Sequence, residues 1–531
     1  MKSIKFIAIA LLVIAVSSCK KWLDVNKNPA NPQQTEAQEF LPPIQFQMAN
    51  NLANDYRYLF KYIQYWGSPS ADNLWEMHGY EGSSDNAGSI WRMTYVNLGP
   101  NLEDLLKDAT THQKWTYSGI GYAIKAWAYQ ITTDYHGPLI LSEAFDPDRL
   151  SFDYQDQPEV YDSVRQWCFR SLDYLDRPSK FDSTALLSST GDQIYKGSRA
   201  KWKKFVYGLL ALQYSHLRNK ADFITKYADS VKKYVDLSFA SSSEDATVNF
   251  AATKSDNSNP FGVSQGLLTS TLTTNILTGR VSQTIVSLLT GGVRGTPVLN
   301  PKTSLDPRLS RMIAFSPDSI YRGVVPTYGD PNTVATKKIV HVLGSVAATY
   351  PGRYLFADKA RFPIMTYAQL QFAKAEALFA QGKTTEAHAA YIKGIDGHMD
   401  FINLYGLTLG TGTSPTITAA QIAAYKTSSE VAQTPVDLRL SDIMSQKYIA
   451  QWGWGGLEQW CDLRKYHYDT AVFKNFFFYP TDKIQANNKG KLAQRVRPRY
   501  NSEYVWNRNT LAFWGALNSD YHTYEMWFSQ P

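Results

Sequence analysis

Hydrophobic and polar positions recur with a helical period through the first half of the chain. Ile120, Ala123, Ile124, Trp127, Ala128 and Ile131 fall on one apolar stripe. Tyr122, Ala126 and Tyr129 thicken the opposite side, which predicts a helix covered on more than one face and stopped by Gly137-Pro138. Asp156-Gln157-Pro158-Glu159 predicts the next helix start: an acidic cap, a proline in the first turn and a glutamate three residues after the cap. Its stripe is Tyr161, Val164, Cys168, Leu172 and Leu175, and two facing stripes predict a helical hairpin. An earlier helix is expected over 41–66, and a helical pattern resumes at Ile90-Trp91 and runs past Gly99-Pro100 to Leu106.

A third hairpin is expected after two caps: Ser198 precedes Trp202, Phe205, Val206, Leu209 and Leu212, and Asp222 precedes Ile224, Tyr227, Ala228, Val231 and Val235. A late hairpin carries Leu370, Ala373 and Ala377, a Gln381-Gly382-Lys383 turn, then Ala387, Tyr391, Gly394 and Ile395. Ala387 and Tyr391, four apart after a tight glycine turn, resemble the second helix of a tetratricopeptide repeat. The other hairpins share no constant period, so a regular solenoid is not expected. Residues 240–259 and 408–418 read as loops, with strands expected over Lys338–Val342 and Gly344–Thr349 and a helix over Leu440–Trp454. The expected fold is mainly α: degenerate tetratricopeptide-like hairpins (about 41–236 and 362–402) with loop-rich parts at about 237–361 and 403–531, all within one domain from 38 to 531.

The amino end changes the picture. Lys2 and Lys5 precede an unbroken apolar run, Phe6 to Val16, shorter than the roughly 20 residues that span a bilayer as a helix. It ends in Val16-Ser17-Ser18-Cys19, which resembles a bacterial lipoprotein signal with Cys19 as the lipid acceptor. Residues 1–18 are therefore expected to be removed and 19–37, rich in Pro, Asn and Gln, to form a lipidated tether. Two acyl chains hold a protein on a membrane where one is marginal. The net charge of +7, from 54 Lys+Arg and 47 Asp+Glu over 531 residues, is too dilute to imply nucleic acid. After processing and lipidation only Cys168 and Cys461 remain as thiols; two separate buried thiols are expected, with pairing in an oxidising envelope as the alternative.

Little in the sequence points to catalysis. Gly262-Val263-Ser264-Gln265-Gly266 matches G-x-S-x-G, but a nucleophile elbow needs a strand before it, and Pro260 stands in a stretch with no strand pattern. Glu376, inside an apolar helix, is expected to bond a neighbouring turn or helix, and the acidic loop 255–259 to be solvated rather than to hold Ca²⁺. No catalytic residue, metal ligand or cofactor is expected. Binding remains, and 14% aromatic content supplies rings for a core or for a sugar face. The first candidate ligand site is the loop carrying Asp72, Asn73, Trp75 and Tyr80, where an aromatic and an amide sit on a Gly/Ser-rich segment. Trp75 can serve there as a ligand face or as a loop anchor in the core. Trp91 is expected in the core; Trp452 with Trp454, and Tyr321 with Tyr328, are weaker candidates.

Several short blocks follow one another along the chain. They are Trp22-Leu23-Asp24 in the tether, the helix ending Asp134-Tyr135-His136-Gly137-Pro138, and Asp192-Gln193-Ile194-Tyr195-Lys196-Gly197 with Lys201-Trp202 and Phe205. Asp306-Pro307-Arg308-Leu309, Gln446-Lys447-Tyr448-Ile449-Ala450, and Glu458, Trp460, Asp462 and Arg464 at alternate positions continue the series. In this order the blocks resemble the SusD/RagB family of nutrient-binding outer-membrane lipoproteins; Arg495 to Glu503 resembles that family's ending more loosely, and the wording of 362–399 points to its SusD-like subgroup. The resemblance implies a lipid-anchored binder in the outer membrane, facing outside, that captures an oligosaccharide or other nutrient. It also implies delivery to a SusC-like TonB-dependent transporter without chemistry. The competing readings are a lipid-anchored hydrolase and a protein-binding repeat scaffold.

Overall fold

A computed structural model describes residues 35–181, 183–268, 279–344, 352–409, 412–413 and 415–531. The signal segment, Cys19 and most of the tether lie outside the described residues, as does the expected strand from residue 345 onward.

Ten helices of ten residues or more carry the described fold: α1 (Ala37–Tyr62), α2 (Gly99–Thr111), α3 (Trp115–His136), α4 (Gln157–Asp176), α5 (Arg199–His216), α6 (Ala228–Leu237), α7 (Tyr367–Ala380), α8 (Thr384–Tyr405), α9 (Leu440–Gln451) and α10 (Gly456–Lys465). Consecutive pairs α3–α4, α5–α6 and α7–α8 pack as hairpins, as the apolar stripes require, and α1 lies against α2. Nearly every residue of α3 is buried, so this helix is covered on all sides. Gly137 ends it at φ +90, a conformation that side chains with a Cβ resist.

Caps set the boundaries. The Asp156 carboxylate accepts the Gln157 N–H at 2.7 Å to open α4, and Ser198 Oγ accepts from Lys201 to open α5. Thr366 and Gln369 satisfy one another's backbone at the start of α7. Asp222 makes no such bond. A π-helical turn, Phe223–Tyr227, stands between it and α6 instead. Helix α9 stops at Gln451, three residues before the expected end, because Trp452 turns extended at φ −59, ψ 130.

Strands are few and short. Phe362–Met365 pairs antiparallel with Ala246–Val248, inside a stretch expected to be loop. Three residues are too few to show a period-two pattern. The strand expected over Lys338–Val342 reduces to a single bridge between His341 and Arg280. A two-residue-per-strand hairpin, Thr408–Leu409 with Gly412–Thr413, stands in the expected Gly/Thr loop.

One hydrophobic core runs through the helices. Trp66, Trp75, Trp91, Trp202, Trp452 and Trp460 are among its largest fully buried side chains. Burying a large apolar side chain contributes about 1.5–3 kcal/mol relative to leaving it in water. Cys168 and Cys461 are both buried and unpaired. Among the described residues no helix is long and apolar enough to cross a membrane.

Candidate functional site

The loop between Gly67 and Ser89 is fastened to α1 by charge and by stacking. Asp72 Oδ1 accepts the N–H groups of Leu74 and Trp75 at 2.8 and 3.1 Å, and its Oδ2 accepts Lys61 Nζ at 2.8 Å. The same ammonium donates to Ser68 Oγ at 2.6 Å, and both members of the ion pair are fully buried. Glu76 accepts the N–H of Thr327 at 2.5 Å and that of Ser68, tying the loop to the turn around residue 327. Burial pushes the Glu76 carboxyl up to about 7, against the pull of Lys61.

Trp75 lies beneath this loop at 1% exposure, with Tyr58, Tyr80 and Tyr62 at ring-centroid distances of 4.6, 5.3 and 5.8 Å. Its ring offers no open face, so in this arrangement it is the anchor of the loop. Tyr62 donates to the Gly79 carbonyl at 2.6 Å and stacks on His78. Tyr80 is half-buried, donates to the Asn86 carbonyl and lies under the Arg497 guanidinium. Of the four candidate residues only Asn73 is exposed, while its carbonyl accepts from Gln485.

The aromatic surface comes from beside the loop. Tyr328 is 52% exposed, lies 4.8 Å beneath Lys483 Nζ and meets Phe477 edge-on at 6.1 Å. Phe478 is also exposed. Backbone bonds lock these pieces together: Asp330 N–H donates to the Pro69 carbonyl at 3.0 Å, and Gln485 N–H to the Met77 carbonyl at 3.0 Å. Gly329, at φ +71, lets the turn press against Ser70, where a Cβ would come within 2.8 Å of backbone. Tyr328 and Phe478 are exposed, Phe477 and Lys483 are half-buried against Tyr328, and the exposed Asn73 stands on the loop to which both segments are bonded, so rings, an amide and an ammonium reach the surface from one rigid support. Such a surface can lie under sugar C–H groups and bond hydroxyls.

The other aromatic candidates are enclosed. Trp452 donates to the Tyr65 carbonyl and stacks on Tyr354, Trp454 donates to the Ala450 carbonyl, and Tyr321 packs edge-on against Phe315. Trp91 is in the core, as expected. Ser264 sits in a 3-10 turn with no strand before it, and its hydroxyl donates to Asp358 at 2.6 Å. Glu376 accepts Lys465 Nζ at 2.8 Å and the Tyr466 hydroxyl at 2.7 Å, a partner-helix role as expected.

The motif residues point inward. Asp192 accepts the N–H groups of Ile194, Tyr195 and Gly197, the Trp202 indole at 2.8 Å and the Gln45 amide at 2.8 Å, folding its whole motif around one carboxylate. Arg308 bonds Asp306, Tyr425 and Gln446 with no exposure. Asp462 bridges Lys447 and Lys465; burial alone would raise its pKa, and the two ammonium groups hold it below the usual carboxylate range. Arg464 lies 4.0 Å over the Trp460 ring. Glu503 accepts the Trp91 indole and the Tyr154 hydroxyl.

Asp134, His216 and Cys461 bring possible metal-ligating atoms within 4.8 Å of one another. Their chemistry does not call for an ion. Asp134 already accepts from Tyr161 at 2.6 Å and Gln130 at 2.7 Å. His216 lies between Asp134 and Glu458, and although burial works against its charge, those carboxylates push it up to about 9. Burial pushes the Cys461 thiol up. A cationic imidazole and a neutral thiol are poor ligands.

These helical hairpins, with signature residues as internal fasteners and loops left to face outward, define a non-regular helical-repeat protein of the SusD type. The SusD-like family model, described as starch-binding and associating with the outer membrane, matches residues 29–497, and the chain belongs to that family. Among solved structures it is similar to a chitin-binding protein (18% identity, 93% of this chain and 100% of that one, TM-score 0.68). It is also similar to a SusD/RagB family protein from Bacteroides thetaiotaomicron (21%, 93% and 99%, 0.64) and to a chitin-binding SusD homolog from Flavobacterium johnsoniae (17%, 93% and 98%, 0.64). No curated protein matches it.

Proposed function

We propose that the chain is a lipoprotein, anchored through Cys19 in the outer membrane and facing outside, that captures an oligosaccharide or another nutrient. It passes that cargo to a SusC-like TonB-dependent transporter and breaks no bond itself. The observation that carries this reading is the ridge of exposed Tyr328, Phe478 and Asn73 with half-buried Phe477 and Lys483, tied to a loop that buried charges and rings keep rigid. Within the candidate loop, Asn73 meets the ligand while Asp72, Trp75 and Tyr80 hold it in place. The family description and the chitin-binding relatives support a glycan as cargo.

Glycan-array binding with the purified full chain tests this. Binding by the wild type and its loss in Tyr328→Ala, with unchanged melting, are expected. A wild type that binds no glycan overturns the glycan reading. Turnover of a bound glycan that disappears in Ser264→Ala would establish the hydrolase instead. Co-purification with a large outer-membrane barrel tests delivery.

A further inference from the structure

A cavity of about 730 Å³ opens where the end of α3 and the start of α4 meet the C-terminal segment, and none of its lining residues belongs to the loop 67–89 ridge. Its wall is built rather than accidental. Arg495 donates from Nε to the Tyr524 carbonyl at 2.8 Å and from Nη2 to the Glu525 carbonyl at 2.6 Å, clamping the tail in place. The adjoining wall at Gly137-Pro138 is secured by neighbouring bonds, Val496 N–H to the Tyr135 carbonyl at 2.9 Å and the His136 ring to the Val496 carbonyl at 3.0 Å.

The lining mixes rings with unused polar atoms. Trp514, Tyr524 and Trp527 line it and are half-buried. Lys220 Nζ lies 4.6 Å over the Trp527 ring, while the indole N–H groups of Trp514 and Trp527 have no protein acceptor among the described residues. Lys491 lines the cavity without an acidic partner among them. Acceptors are present too. His467 engages one Glu525 oxygen at 2.6 Å and Gln157 N–H one Asp156 oxygen at 2.7 Å, which leaves the second oxygen of each carboxylate. Lys491 and Arg495 balance Asp156 and Glu525 in charge, so the lining suits a neutral ligand rather than a polyanion.

We infer that this cavity is a second binding site, for a neutral oligosaccharide segment, separate from the exposed ridge. A pyranose offers an apolar C–H face to indoles and a rim of hydroxyls that both donate and accept, which is the complement of this lining. The volume falls within the range of small-molecule sites and takes about two or three sugar rings. The inference rests on the reading of the protein as a glycan binder.

The test is calorimetric titration of the detergent-solubilised full chain with chitotriose and with maltotriose, alongside the glycan array. Two binding events are expected. Trp514→Ala and Lys491→Ala each weaken the cavity event at least ten-fold and leave the other intact, while Tyr328→Ala does the reverse. Trp514→Phe keeps the ring and, with a melting curve for each variant, separates a lost contact from a lost fold. Affinities unchanged within two-fold in both cavity variants, or all binding removed by Tyr328→Ala alone, overturn the second site and leave the ridge standing. A wild type that binds no saccharide overturns both.

Discussion

Lys61 on α1 and Asp72 in the following loop form an ion pair at 2.8 Å with neither side chain reaching solvent. Removing one partner leaves the other charge buried and uncompensated. Asp72→Ala is therefore expected to cost about 3–5 kcal/mol of folding stability, read by urea denaturation. It also frees two loop N–H groups, so ligand affinity falls with it. A loss below about 1 kcal/mol would be the behaviour of a solvated surface pair and would contradict the burial.

Trp75 and Tyr328 should separate folding from binding. Trp75→Ala empties a fully enclosed site and is expected to cost about 3–5 kcal/mol, with Trp75→Phe costing less. Tyr328→Ala removes a half-exposed ring and should leave the melting temperature within a degree or two while abolishing ridge binding. If Trp75→Ala were to melt like the wild type yet bind no glycan, the indole would be a ligand contact after all.

Gly329→Ala tests the support beneath the ridge. A Cβ there meets the Ser70 backbone at 2.8 Å, and the φ of +71 is unfavourable for alanine. The expected result is a loss of about 1–3 kcal/mol together with weakened ridge binding. A variant indistinguishable from wild type in both measurements would show that the turn does not hold the ridge.

Stability should fall on the alkaline side for a named reason. The carboxylates of Glu458 and Asp134 raise His216 from its ordinary 6.5 to about 9 in the folded state. A raised folded pKa contributes stability that is complete below 6.5 and is lost as pH rises through 9, on the order of 3 kcal/mol. Glu76, raised from 4.5 to about 7 by burial, adds a loss of the same direction in the lower window from 4.5 through 7. Denaturation at pH 6 and pH 9.5 should show the His216 component in the wild type and not in His216→Gln. An identical pH slope in both proteins rules this account out.

The helical frame was legible because its signals are local. Stripes at three and four residues, Asp156 and Ser198 as caps, and Gly137 as a stop each act within a turn or two of themselves. The signature blocks were legible for the same reason: Asp192 folds the turn that contains it. The proposed ridge was legible only at Asn73 and Tyr328, both named from the composition of their loops. Phe477 and Phe478 gave no signal, because their segment is brought to the loop by main-chain bonds that no side-chain pattern announces. Trp75 left two readings open for a related reason: a tryptophan among Gly, Ser, Asp and Asn has the composition of a surface site, and packing against Tyr58 and Tyr62 makes it the anchor of the loop here.

Arg308, Asp192 and the Lys447–Asp462–Lys465–Glu376 cluster face inward, whereas Asn73, Tyr328 and Phe478 face out. Architecture is thereby written in residues other than the ones we propose to meet the ligand. On the proposed reading, a protein engineer can exchange those rim positions and graft new rims onto the same frame without solving the folding problem again.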